Sequence, residues 1–133
     1  MMTVLPSKTL SITIERRPEE VYAYVTNPEN FPEWVTSFVK SIRRSGEEWI
    51  VETTEAPITL KFVDNNDYGV ADHWVTVATG QTILNPMRVI PNGSGCEVVF
   101  TAFRQPGMSE ESFANDTAMI ESDLRTLKRM MEK

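Results

Sequence analysis

Apolar and polar residues alternate strictly near the start of the chain, where Leu10, Ile12 and Ile14 are separated by Ser11, Thr13 and Glu15. A period of two predicts a half-buried strand. Pro18 suits the first position of a helix, where its missing N–H is not needed, and Glu19 and Glu20 follow where the helix dipole favours negative charge. The spacing predicts a short helix burying Val21, Tyr22 and Val25, ended by Asn27-Pro28. The segment PENFPEW reads as a second short helical turn, carrying Phe31 and Trp34 and stopped by Pro32.

From Ser37 to Arg104 the pattern changes to short strand-like runs separated by turn residues. Turn signals at Ser45-Gly46, Glu55-Ala56-Pro57, Asp64 to Gly69, Ala78 to Gly80 and Pro91 to Gly95 divide it into six segments. Such short connections imply antiparallel neighbours. Beyond Pro106-Gly107, Ser109 followed by Glu110 and Glu111 makes a capped, acidic helix start. Phe113, Ile120, Leu124, Leu127 and Met131 then recur at helical spacing, predicting one long amphipathic helix to the end of the chain.

Length and composition narrow the possibilities. With 133 residues, 41% of them hydrophobic, the chain fits one domain over 1–133. No apolar run approaches the roughly 18 to 20 residues of a membrane span, and the N-terminus lacks a secretory pattern, so a cytoplasmic location is expected. A formal net charge of −6, with scattered basic residues, argues against nucleic acid as a partner. A lone Cys96 and a lone His73 supply neither a disulfide nor a Cys/His zinc site, so neither metal nor cofactor is expected.

The element order (strand, two short helices, six strands, long helix) and the opening TLSITIERRPEEVYAYVTNPENFPEWV resemble the START-like (SRPBCC) superfamily, in particular its polyketide cyclase/dehydrase branch. The matching positions are Pro18, Glu20, Val21, Asn27, Pro28 and Trp34. The resemblance implies an α+β helix-grip fold: a curved seven-stranded antiparallel sheet around the long C-terminal helix, with a cavity between them. It implies no single function, because lipid carriers, receptors, cyclases and co-chaperones share the fold.

Strand register decides which side chains face that cavity. Placing Phe62 opposite Ala71 puts Leu60 and Phe62 on one face with His73 and Val75, and Asp72 on the other. Across the next turn Asn85 falls beside His73, and further on Met87 meets Phe100 while Arg88 meets Glu97 on the outer face. In the other direction Thr53, Val51 and Trp49 oppose Ile58, Leu60 and Phe62, with Phe38, Lys40 and Ile42 beyond them. Lys40 lies near an edge and is expected to reach water. Ile120 and Leu124 supply the helix side.

A mostly apolar concavity with a few polar groups is the pattern of a small-molecule pocket, although most large apolar side chains of this kind only fill the core. Trp34 reads either as a lip of the cavity or as a staple for its helix. His73, with Asn85 as the expected partner of one ring nitrogen, is either a satisfied buried histidine or the polar group offered to a ligand. Three functions are therefore expected to compete. The first is binding of a small hydrophobic or aromatic molecule, by a monomer or homodimer. The second is a cofactor-independent polyketide cyclase/dehydratase-like reaction with His73 as acid/base. The third is a protein-interaction module, which requires an exposed apolar patch.

Overall fold

A computed structural model describes residues 4–133. The first strand, β1 (Ser7–Ile14), leads into helix α1 (Pro18–Val25), which has Pro18 in its first turn and no side-chain cap. A 3-10 turn over Pro28–Asn30 follows, opened by Asn27, whose side chain accepts from the Glu29 N–H at 3.1 Å. The chain then continues directly into α2 (Phe31–Trp34). Pro32 does not stop this turn as the sequence suggested. It sits in the first turn of α2, where a residue without an N–H leaves no hydrogen bond unmade.

Strands β2 (Val39–Ser45), β3 (Glu48–Thr53), β4 (Ile58–Phe62), β5 (His73–Thr76) and β6 (Thr82–Asn85) form one antiparallel sheet in sequence order. Strands β7 (Met87–Asn92) and β8 (Gly95–Phe103) join β1 in a second, with order β1-β8-β7. The sequence led us to expect seven strands in one sheet, whereas eight strands form in two. The extra division falls at Pro86. Lacking an N–H, proline interrupts a ladder, and here the chain changes partners: Asn85 pairs with His73 of β5, whereas Met87 pairs with Phe100 of β8. The sheets stay joined because Ala71 N–H donates to Met87 O and Val89 N–H to Gly69 O, each at 2.9 Å. Gly69 has φ +72°, and a Cβ there would lie 2.2 Å from the Val89 carbonyl oxygen, so this approach needs glycine.

The observed registers differ from the expected ones by two residues at two hairpins. Phe62 opposes His73 rather than Ala71, and Trp49 and Val51 oppose Leu60 and Ile58. The irregularity between Val39 and Ser41 turns Val39 inward and leaves Lys40 exposed. Arg88 does form an outer ion pair, but with Asp72 at 3.2 Å rather than with Glu97, since it opposes Val99.

Helix α3 (Glu110–Met131) is capped by Ser109, whose side chain accepts from the Ser112 N–H at 3.0 Å. Its two halves are unlike. Leu124, Leu127 and Met131 are buried in the same cluster as Ile14, Val21, Val89 and Val98. Polar contacts fix this end as well: Lys128 Nζ donates to Thr13 O at 2.7 Å, Arg16 Nη1 to Met131 O at 2.6 Å, and the Glu15 N–H to Glu132 Oε2 at 2.8 Å. In the first half only Thr117 is buried, and Phe113, Met119 and Ile120 are half-covered. The helix is held at one end and stands over a gap at the other.

This division predicts unequal costs of truncation along one helix. Leu124→Ala should lose about 2 to 5 kcal/mol in denaturant melts, whereas Met119→Ala should lose less than about 1 kcal/mol because little packing surrounds it. Equal losses would mean that the first half is packed as tightly as the second.

Candidate functional site

Between the first half of α3 and the sheet lies a cavity of about 640 Å³. The size suits a small organic molecule. Its apolar walls come from Phe31 and Trp34 of α2, Val75 of β5, Ile83 of β6, Phe100 of β8 and Ile120 of α3. The exposed residues Thr54, Glu55 and Ala56 of the β3–β4 turn and Ala78 and Thr79 of the β5–β6 turn form its rim.

His73 is the most buried polar group of the wall, only 3% exposed. Its ring is enclosed by Phe62, Phe100 and Phe31, with centroids 4.9, 5.8 and 6.4 Å away. Nδ1 bonds to the Ala71 carbonyl oxygen at 3.2 Å. A carbonyl only accepts, so Nδ1 carries the proton of the neutral ring and Nε2 offers a lone pair. No hydrogen bond reaches Nε2 among the described residues, Asn85 included. Asn85 is nonetheless directly opposite His73 and lines the same cavity. Burial pushes the imidazole down to about 4, against small opposing effects of the Ala71 carbonyl and the Asp72 carboxylate. The ring is therefore neutral at physiological pH, not poised there as its type alone suggested.

Trp34 is 3% exposed, and its Nε1–H is the only sealed side-chain polar atom among the described residues without a partner. It meets Phe31 edge-on, at 5.8 Å between centroids, so Phe31 contacts both Trp34 and His73. The cavity thus has a free acceptor, His73 Nε2, on its wall, while the Trp34 N–H is sealed behind the same phenylalanine.

The long helix adds carboxylates that the sequence reading passed over. Asp123, 4% exposed, accepts from the Ser37 N–H at 3.0 Å and from Ser37 Oγ–H at 2.7 Å. Burial pushes its carboxyl up, and the two Ser37 bonds pull it back. Asp116 lies at the mouth, where burial and then the nearby Glu55 carboxylate push its carboxyl up. A signal was available, since Asp116, Ile120 and Asp123 are spaced by four and three and so share one helix face.

The eleven side chains assigned from sequence divide into two groups. His73, Val75, Asn85, Phe100 and Ile120 line the cavity. Val51, Leu60, Met87 and Leu124 are sealed in the core, at most 2% exposed, and Phe62 packs behind His73. Trp49 lies away from the cavity, with the Arg44 guanidinium 5.8 Å from its ring centroid. The five of these on strands face the expected side of the sheet along a different stretch, and Leu124 belongs to the anchored half of α3. Cys96 is fully buried, and burial pushes its thiol up, which makes it a poor nucleophile.

The acid response of folding should report on His73. Between its ordinary value of 6.5 and the folded value of about 4, the unfolded chain takes up a proton that the folded protein refuses. Stability therefore falls as pH drops through that window and levels off below it. From pH 7 to pH 4 the fall should be smaller in His73→Gln by about 3 kcal/mol, read from urea melts at each pH. Parallel pH profiles would show that the ring is not held neutral.

Comparison with known proteins adds a lineage to this geometry. No curated protein matches the chain. Among solved structures, XoxI of Bacillus cereus is 16% identical, with 96% of each chain covered and a TM-score of 0.76. The Aha1 dimer of Colwellia psychrerythraea is 13% identical over 96% of this chain and 97% of that one, with a TM-score of 0.78. Ara h 8.0201 is 13% identical over 96% and 98%, with a TM-score of 0.70. These likenesses establish the fold. The family model described as polyketide cyclase / dehydrase and lipid transport matches residues 7–132, nearly the whole described chain, and the protein belongs to that family.

Proposed function

We propose that the protein binds one small hydrophobic or aromatic molecule in the cavity under the first half of α3. The observation that carries this reading is the cavity itself: about 640 Å³, walled mainly by apolar side chains, with the His73 acceptor unpartnered on its wall. Buried polar groups are ordinarily paired, and each one left alone costs roughly 1 to 3 kcal/mol. A ligand with an apolar body and a polar donor would cover the walls and supply the bond that His73 Nε2 lacks. The family's description, which includes lipid transport, is in keeping with such a role.

A catalytic reading rests on the same Nε2 lone pair, the free basic nitrogen of the cavity, and on the cyclase and dehydrase members that the family's name includes. A neutral imidazole with a folded value of about 4 is a weak base at neutral pH, which favours positioning a hydroxyl or N–H over removing its proton. An interaction module has less support. Among the described residues, the exposed large apolar side chains are Val4, Tyr68, Leu84 and Ile90, none of which lines the cavity.

Nile red, an uncharged hydrophobic dye, should bind at one site per chain, keep its affinity in chelator, and change the tryptophan fluorescence through Trp34. Ile120→Trp, which adds bulk to the half-covered wall of the cavity, should weaken it by about tenfold or more while the melting midpoint shifts little. Unchanged dye affinity in a folded Ile120→Trp protein would place binding elsewhere. For the catalytic reading, His73→Gln should lower turnover of an aromatic or polyketide-like carbonyl substrate by about 10² or more, and turnover at the normal rate would remove His73 from that role.

A further inference from the structure

The charged groups of the cavity are all of one sign. Asp123 lies on its wall and Asp116 and Glu55 at its mouth, and no Lys or Arg is among the residues that line it. Both Asp123 oxygens accept hydrogen bonds from Ser37, the arrangement that suits an ionised carboxylate. An acidic cluster alone says little, but a further group on this wall also awaits a ligand. His73 lines the cavity at only 3% exposure, and its Nε2 lone pair has no partner.

Three of these features favour donors. His73 Nε2 and the Asp123 carboxylate accept only, and the Glu55–Asp116 mouth repels anions while attracting cations.

We propose that the cavity selects a cationic amphiphile, an apolar body bearing a protonated amine that pairs with the acidic face of α3, and discriminates against carboxylic acids of the same size. This rests on the binding function proposed above and names its ligand class. A fatty acid would bring its carboxylate past Glu55 and Asp116 to a wall without a cation, so its charge would be both desolvated and repelled. The corresponding amine meets attraction at the mouth and a charge-assisted hydrogen bond inside.

The test uses Nile red bound to the full chain at pH 7 and displaced by dodecylamine, dodecanol or dodecanoate, all below their micellar concentrations. Dodecylamine should displace the dye at concentrations about tenfold or more below those of dodecanoate, with dodecanol between. In the double variant Glu55→Gln with Asp116→Asn, both exposed positions, this ratio should shrink by about threefold or more while dodecanol is unaffected. Asp123→Asn should shrink it further. Should that variant fail to fold, the double variant alone decides. Dodecanoate matching or exceeding dodecylamine, or an unchanged ratio in the double variant, would overturn the proposal and leave the binding function standing. Failure of both Nile red and dodecanol to bind would overturn the two together.

Discussion

The structure depends on one helix being anchored at only one of its ends. The 22 residues of α3 extend roughly 33 Å, more than its buried apolar stretch requires. Leu124, Leu127 and Met131 bury their side chains in the core, and Lys128, Glu132 and the Met131 carbonyl are bonded to the end of β1 and the segment joining it to α1. Each such fully buried side chain contributes roughly 1.5 to 3 kcal/mol. With that end fixed, the turns from Glu110 to Ile120 need no further packing to hold their position, and the space beneath them stays open. A helix packed along its whole length would leave no cavity.

The same division separates stability from recognition. Side chains of the anchored end are apolar or paired, as interior groups ordinarily are. Groups around the cavity break that rule, with a tryptophan donor and a histidine acceptor lacking partners and an aspartate buried in an apolar setting beside one serine. Such groups cost stability, and the His73 acceptor is one that a ligand in the cavity can satisfy. The desolvation that holds His73 neutral fixes its chemical character too. With Nδ1–H committed to Ala71, the ring presents an acceptor whatever the pH above its folded value.

Sequence similarity to solved structures is low while the fold is shared, as happens when core spacing and backbone hydrogen bonding, rather than particular side chains, define an architecture. On the binding function proposed above, recognition falls to the few positions around the cavity, among them His73, Asp116 and Asp123.

Periodicity determined the elements: the alternation at Leu10 to Ile14, the Pro18 helix start, the Ser109 cap and the long apolar stripe all follow from local geometry. Outside the irregular start of β2 it also determined which face the strand residues take, because the registers at β3–β4 and β4–β5 were displaced by two and side chains repeat every two. A shift of two keeps the face but moves a residue about 7 Å along the strand. Hence Val51, Leu60 and Met87 lie in the core, whereas Val75, Asn85 and Phe100 reach the cavity, a distinction that no strand pattern contains. The strand break at Pro86 was visible as a proline, but the change of partner across it depended on β8 lying alongside. Asp123 is marked in the sequence only as an acidic residue within an apolar stripe. Its burial, the Ser37 bonds and the empty space beside it exist only once α3 is anchored over the sheet, because the distance between two elements is set by packing and not by either element alone.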